Sequence, residues 1–305
     1  MIEYLDKIRK YLPISSDDPE NIEYLEYLKS AYEENIDNKK YQFALLAFHM
    51  MFMTNIYKQF WCLKEYDFAK VKRFCDRNQQ LSEIYSVYDM SILKEKDSIA
   101  YTMDSLGFHP NKKSDVQQFV DTRDKCAHAS GFIQYNERDV ENHFKKVIEY
   151  MEQISIKTKP IVQSMFELTL KEFWNSDSFN RLSSAEKAEK IIGQLKLSPA
   201  DITHILEIDK EQILNDYKSI SFLISYVSVM SVLMIRAGTK EGETAIELGN
   251  GYLFEELTKH LSKLSSDEFA KIEIELEDEM NALEQANGTI SYGEFMSKFA
   301  SNLAS

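Results

Sequence analysis

The sequence predicts an all-α fold with two helical domains. Its first glycine is Gly107, and the only prolines before that residue are Pro13 and Pro19. The first hundred residues thus contain few helix breakers, which favours long helices. Apolar residues recur at helical spacing along most of the chain, and no segment shows a convincing alternation of apolar and polar residues. With 305 residues, 44% of them hydrophobic, the chain is long and apolar enough for two packed cores.

The first domain is predicted over residues 1–157. Asp18 and Pro19 are typical of an N-cap and a first helical residue, so we expect a helix to begin there. Residues 38–66 are apolar nearly all round in their middle, as expected of the most buried helix in a bundle. His49 lies in this stretch, and we interpret it as a core histidine bonded to a neighbour rather than as a catalytic group.

Two more helices complete the predicted domain. Ser114 is expected to cap the first of them, which Gly131 ends in the manner of a C-terminal glycine. The second is amphipathic, begins at Glu137 and is followed by Pro160. We therefore place the domain boundary near residue 158.

The second domain, residues 160–305, is also predicted to be helical. Residues 219–235 carry no charge, which favours a buried central helix over the alternative of a short membrane span. Residues 191–214 resemble a helix-turn-helix in which Ser198 and Pro199 start a short helix. The acids of its second helix would face DNA phosphates, so we interpret the segment as a packing unit without DNA contact.

Charge and cysteine content restrict the class of protein. The net charge of -14 disfavours sequence-independent binding to nucleic-acid backbones and leaves room only for a local basic cleft. Cys62, Cys75 and Cys126 show neither paired spacing nor a zinc motif, which suits a reducing compartment. The first residues lack the basic and apolar regions of a signal peptide. We expect a cytoplasmic protein that needs no membrane, no metal and no cofactor.

Arg123 stands where the helix around it predicts an apolar side chain. The stripe runs through Val116, Phe119 and Val120 before it reaches Arg123. A guanidinium there needs a partner anion, a wet cleft or a second subunit. His128 follows one and a half turns later, within reach of the same anion.

Asp124 precedes His128 by four residues on the same helix and is a candidate to hold its ring by a hydrogen bond. A structural interpretation of the pair also stays open. In that case Arg123 pairs with Asp104 or Asp121, and His128 bonds a carbonyl near the helix end.

Residues 123–128, R-D-K-C-A-H, resemble the R-x(4–6)-H signature of the HEPN superfamily, whose members are all-helical. As in that superfamily, the signature comes late in a helical domain and after a long apolar helix. The resemblance covers residues 1–157 only. Asparagine commonly follows the arginine in the family, whereas Asp124 stands here and adds a negative charge.

The resemblance implies a metal-independent RNA endonuclease, most often a homodimer in which two such helices meet at a twofold axis. The 2′-hydroxyl of RNA would attack its neighbouring phosphorus. Arg123 would neutralise the charge growing on the phosphoryl oxygens, and His128 would move protons to the leaving 5′-oxygen, with Asp124 as the third site residue. Family members also suggest prokaryotic defence or toxin activity, with a second domain that senses a trigger and a regulatory or antitoxin protein as partner.

Residues 64–77 interleave basic and aromatic side chains, a composition that can line a phosphate track with stacking surfaces. We assign RNA binding to Lys72, Arg73 and Arg77 in this stretch and to Lys125 beside the motif. The competing interpretation is a solvated helix face with a few core aromatics.

Two other functions remain open at this point. The first is a helical interaction or scaffold subunit whose HEPN-like site is inactive, which the strong acidity favours. The second is a helix-turn-helix DNA regulator, which the same acidity disfavours.

Overall fold

The computed structural model describes residues 1–14, 19–128, 135–208, 220–238 and 244–303. Within these ranges the chain forms fourteen α-helices, two 3₁₀ helices and no strand, which confirms the all-α class. The chain divides into two compact units, Met1–Met165 with Leu195–Asp201, and Phe166–Gln194 with Ile202–Ser305.

The first unit is a bundle around one central helix. Its helices are α1 (Ile2–Arg9), α2 (Pro19–Asp37), α3 (Tyr41–Tyr66), α4 (Phe68–Cys75), α5 (Glu95–Ser105), α6 (Pro110–Ala127) and the first part of α7 (Glu137–Trp174), with 3₁₀ helices Gln79–Glu83 and Tyr88–Ile92 between α4 and α5. As predicted, α2 begins at Pro19, although Asp18 lies outside the described residues. Helix α3 is the central one, because every residue from Met51 to Leu63 is buried. It packs against α2, α4, α5 and α6.

Helix α6 carries Arg123 and begins earlier than the sequence predicted. Its N-cap is His109, whose Nδ1 accepts a hydrogen bond from the Asn111 N–H at 3.3 Å, and Pro110 is the first helical residue. Proline suits that position because it lacks the N–H that would have no partner there. The expected cap at Ser114 is therefore wrong. The helix ends at Ala127, and the predicted stop at Gly131 lies outside the described residues.

Helix α7 continues through Pro160, whereas the sequence suggested that this proline follows the helix end. A proline inside a helix costs about 3 kcal/mol because one backbone hydrogen bond is lost. Buried apolar side chains on both sides of Pro160, including Ile154, Ile161 and Val162, offset that cost. Both compact units include part of α7, so the predicted boundary near residue 158 falls within a continuous helix.

The segment Leu195–Asp201 belongs to the first unit, to which backbone hydrogen bonds and a buried ion pair join it. Lys58, in the middle of α3, pairs with Asp201, and each side chain is 1% exposed. Asp201 also accepts hydrogen bonds from the backbone N–H of Ser198 at 2.7 Å and from its hydroxyl at 2.5 Å. We call Lys58 and Asp201 the sealed pair.

The second unit contains the rest of α7 and a set of helices packed around one apolar helix. These are α8 (Asp177–Asn180), α9 (Ser184–Leu195), α10 (Pro199–Leu206), α11 (Ile220–Ala237), α12 (Ala245–Leu261), α13 (Ser266–Asn287) and α14 (Tyr292–Leu303), of which α10 begins in the first unit. Helix α11 is buried along its middle, as the uncharged segment predicted. A Cβ at Gly249 of α12 would lie 2.5 Å from Ile235, so the glycine permits close packing of these two helices.

No helix within the described ranges combines the length and the apolar character that a membrane crossing requires. Helix α10 begins at Pro199, where the helix-turn-helix resemblance placed a short helix. Residues 209–219, which hold most of the second helix of that resemblance, lie outside the described residues.

Candidate functional site

Arg123 is held on α6 by two carboxylates. One terminal nitrogen, Nη2, pairs with Glu95, the first residue of α5, and the other, Nη1, lies 2.8 Å from Oδ1 of Asp124. The neighbouring stripe residues Phe119 and Val120 are buried, but the Arg123 side chain remains 27% exposed. Arg123 can thus stand in the apolar stripe of α6 because Glu95 faces it from α5.

Glu95 connects Arg123 to the core of the bundle. Its Oε2 atom, which receives Arg123, also lies 2.8 Å from Nε2 of His49 on α3. Burial opposes ionisation of Glu95, but the hydrogen bonds and charges of His49 and Arg123 outweigh it, so the pKa of Glu95 lies below its usual value. The acid is therefore ionised at neutral pH. His49 bonds a neighbour, as predicted, and that neighbour is the partner of Arg123.

We call His49, Glu95, Arg123 and Asp124 the open cluster. Burial alone would lower the pKa of Arg123, but Glu95 and Asp124 raise it above its ordinary value, which keeps the guanidinium charged. Two nitrogens within the cluster, Nδ1 of His49 and Nε of Arg123, are buried and have no hydrogen-bond partner among the described residues.

His128 marks the end of the motif helix. It is the C-cap of α6, with an extended backbone, and its N–H donates to the carbonyl of Asp124 at 3.0 Å. The residue is exposed. The carboxylate of Asp124 pairs with Arg123. A hydrogen bond from Asp124 to the ring of His128 stays a prediction.

The structural partners considered for Arg123 from sequence are engaged elsewhere. Asp104 accepts hydrogen bonds from Lys113 at 2.8 and 3.0 Å, and Asp121 pairs with Lys96. The sequence does not identify Glu95 as the partner of Arg123, because Glu95 lies 28 residues earlier in the chain and no local spacing connects the two residues. The available signal was general: a charge on a buried stripe requires an opposite charge from another element.

The basic stretch does not reach the open cluster. Helix α4 contacts α5 through Tyr101, whose ring stacks on Phe74 at 4.6 Å, and through Ser105, whose hydroxyl donates to the Lys70 carbonyl at 3.2 Å. These two residues follow Glu95 by six and ten positions, which places them about 9 to 15 Å along the helix axis. The stretch lies at the far end of α5 from the site.

Within that stretch the predicted RNA-binding residues are all exposed. Lys72 pairs with Asp76 at 3.4 Å, and the Arg73 guanidinium lies 4.4 Å from the centre of the Phe74 ring. Arg77 follows the end of α4, and Lys125 is exposed in the last turn of α6, two residues from Arg123. Lys125 thus lies within the motif itself, whereas the other three residues of this predicted set lie on α4 or just after it.

The described residues contain no group of three or more histidine, cysteine, aspartate or glutamate side chains placed to hold a metal ion. Comparisons of the chain with models of known protein families, with curated proteins and with solved structures find no match.

Proposed function

We propose that the chain is an RNA endonuclease of the HEPN type, with Arg123 and His128 as its catalytic residues. The observation that carries the proposal is the placement of Arg123. The ionised Glu95 pairs with Arg123 from helix α5, and the Arg123 side chain stays partly exposed. The exposed His128 ends the same helix as Arg123, five residues later. A charged phosphate-binding group and a proton-transfer group thus share one end of α6.

The two carboxylates around Arg123 would have different roles. Glu95 has a second bond to the buried His49, so it fixes the direction of the guanidinium. The Asp124 side chain is 39% exposed and pairs with Nη1 of Arg123, the nitrogen that a phosphate would need. A phosphodiester carries one negative charge, as a carboxylate does, and can replace Asp124 at Nη1 while Glu95 stays in place. In this account Glu95 positions the arginine and Asp124 occupies the anion site at rest.

The reaction would be an internal transfer. The RNA 2′-hydroxyl attacks the adjacent phosphorus, the bond to the 5′-oxygen breaks, and the products are a 2′,3′-cyclic phosphate and a free 5′-hydroxyl. Arg123 would stabilise the negative charge on the phosphoryl oxygens. His128, in its protonated form, would donate a proton to the leaving 5′-oxygen, and the proton that the 2′-hydroxyl loses would pass to solvent water. No step of this scheme requires a metal or a cofactor.

We also propose an oligomeric state, a regulation and a biological role for the enzyme, on the basis of the resemblance alone. Two copies would associate through α6 so that two Arg123–His128 pairs share one cleft. The second unit would respond to a trigger or to a regulatory or antitoxin protein. The enzyme would act in the cytoplasm, in defence or as a toxin.

Cleavage of RNA in EDTA tests the chemistry. Wild type, Arg123→Ala and His128→Ala would be incubated with total RNA and with a labelled single-stranded RNA, and the 3′ ends of the products would be identified. We expect cleavage and 2′,3′-cyclic phosphate ends from the wild type, and at least a hundredfold loss in both variants. Two controls should cleave normally: Arg138→Ala, which removes an exposed arginine, and His109→Asn, which removes an exposed imidazole but keeps a side chain that can cap α6.

A second candidate function has an observation of its own. Both terminal nitrogens of Arg123 are paired with carboxylates, so the arginine is neutralised within the chain. This arrangement favours a helical interaction or scaffold subunit in which the site no longer binds phosphate. Under that alternative, Arg123→Ala and His128→Ala would alter dimerisation or stability, measured by sedimentation and thermal unfolding, while wild type and variants alike would leave RNA intact.

A further inference from the structure

A polar groove of about 460 Å³ lies between α6 and α7 in the first unit. Its wall on α6 ends at Thr122, the residue before Arg123, and its wall on α7 starts at Asp139. The volume is within the range of small-molecule sites. The groove therefore begins beside the open cluster and continues away from it along the two helices.

One of the residues that line the groove, His143, is a neutral histidine. Burial, together with the nearby charges of His49 and Lys146, lowers the pKa of His143 to about 4. The ring also makes an edge contact with Phe119, at 5.2 Å between ring centres, which limits its orientation. At neutral pH the ring is therefore uncharged and carries one hydrogen-bond donor and one acceptor.

Three side-chain amides line the same groove, namely Gln118 on α6 and Asn142 and Gln153 on α7. Each amide offers both donors and an acceptor. The edges of nucleobases carry the same mixed pattern, and amide side chains are common partners of exposed bases in single-stranded RNA. The polar groups of the groove match a base better than they match a simple ion.

The charges of the groove limit how much negative charge a ligand can carry. Lys112 and Lys146 supply two positive charges, and three carboxylates oppose them. Asp115 accepts a hydrogen bond from the Tyr150 hydroxyl at 3.0 Å, but its charge remains. A polyphosphate would be repelled, whereas a nucleotide within a chain brings only one phosphodiester charge and a lysine can meet it.

We propose that this groove binds one nucleotide of a single-stranded RNA, with the base against Asn142 and His143 and the phosphate near Lys146. The inference rests on the proposed function, because it makes the groove a subsite next to the phosphate that Arg123 would engage. Asn142 then determines base preference, and Lys146 contributes affinity without selectivity.

Binding of non-cleavable RNA tests this assignment without any need for catalysis. Fluorescence anisotropy would measure the affinity of labelled 2′-O-methyl hexanucleotides of adenosine, cytidine or uridine, in which the attacking hydroxyl is blocked. The variants are Asn142→Leu, Gln118→Leu and Lys146→Ala. Lys145→Ala, an exposed lysine next to Lys146 that does not line the groove, is the matched control. Thermal unfolding would verify that each variant is folded.

We expect the wild type to prefer one of the three bases, and Asn142→Leu to weaken that hexamer at least tenfold so that the preference is lost. Gln118→Leu should reduce the preference in the same direction. Lys146→Ala should weaken all three hexamers about equally, and Lys145→Ala should change none of them. Absence of wild-type binding, or an unchanged base preference in both amide variants, would overturn the inference.

The outcomes also separate this inference from the proposed function. A wild type that cleaves RNA through Arg123 and His128 but keeps its base preference in the amide variants has the activity without this subsite. A wild type that never cleaves, but whose selective binding depends on Asn142, has the nucleotide site without the activity.

Discussion

In the first unit, Lys58 and Asp201 form an ion pair whose side chains are each 1% exposed, whereas Arg123 and Glu95 form one whose side chains are 27% and 22% exposed. Both pairs join different helices, Lys58 and Asp201 across 143 residues of chain and Arg123 and Glu95 across 28. The sealed pair excludes water, so neither charge can find another partner and the pair acts only on the fold. The open cluster keeps one side toward solvent, so an incoming anion can replace Asp124. The difference in solvent access separates a structural ion pair from a candidate catalytic one.

The largest expected effect is on the sealed pair. Lys58→Met removes one charge and leaves Asp201 buried without its partner, which should lower the free energy of unfolding by about 3 to 5 kcal/mol. The double variant Lys58→Met/Asp201→Leu removes both charges and should recover much of that loss. Urea unfolding measures both values. If the single and double variants were equally unstable, the cost would come from lost packing and not from an unpaired charge.

The next effect concerns His143, which lies close to His49 of the open cluster. Its pKa is about 4 in the native state and near 6.5 in the unfolded chain, so below pH 6.5 the unfolded state binds the proton more tightly. Stability should fall as the pH drops from 6.5 to 4, by about 3 kcal/mol at most for this group. Below pH 4 its contribution should stay constant.

His143→Gln removes the titrating ring and keeps a polar side chain. Urea unfolding of wild type and variant between pH 7 and pH 4 should show a steeper decline for the wild type. Equal slopes would mean that His143 titrates normally and is accessible to water.

A smaller effect on stability is expected at Glu95, because the open cluster is partly solvated. Glu95→Gln should cost about 1 kcal/mol at neutral pH. The pKa of Glu95 is lowered in the native state, so its contribution exists above the usual carboxyl pKa and is lost as the pH falls through the lower native value. RNA cleavage should fall at least tenfold in the same variant, since the direction of the guanidinium is no longer fixed, and Glu95→Asp should restore part of it. Cleavage at the wild-type rate by Glu95→Gln would contradict the positioning role.

The smallest effect is expected from the basic stretch. The triple variant Lys72→Gln/Arg73→Gln/Arg77→Gln should leave stability unchanged within about 0.5 kcal/mol, because all three residues are exposed. If these residues bind RNA, the variant should bind it several-fold more weakly, and the slope of log affinity against log salt should decrease by up to about 2. Unchanged affinity and salt dependence would remove the stretch from the RNA path.

The parts of the fold that follow from local rules could be predicted from the sequence. The start of α2 at Pro19 follows from proline geometry, and the burial of α3 and α11 follows from their lack of polar faces. The continuation of α7 through Pro160 could not be predicted, because packing on both sides of the proline decides it. The return of Leu195–Asp201 to the first unit includes the pairing of Lys58 with Asp201, which are 143 residues apart, so no local rule indicates it.

The candidate site shows the same division. Arg123 could be singled out because it breaks an apolar pattern within its own helix, and His128 because it follows at motif spacing. His49 and Glu95 could not be connected with them, since the contacts run between three helices. The sequence thus indicates that a charge is out of place, and only the tertiary structure identifies the acid that stabilises it.

The most direct test of the distinction between the two pairs is to measure stability and RNA cleavage in the same variant, Arg123→Ala, beside Lys58→Met. We predict that Arg123→Ala keeps its free energy of unfolding within about 1 to 2 kcal/mol of the wild type while RNA cleavage in EDTA is lost. Lys58→Met should be much less stable, yet should cleave RNA at a near-normal rate whenever it is folded. The contradicting result has two parts: the wild type cleaves no RNA, and Arg123→Ala loses as much stability as Lys58→Met does. Arg123 and Glu95 would then be a second structural ion pair.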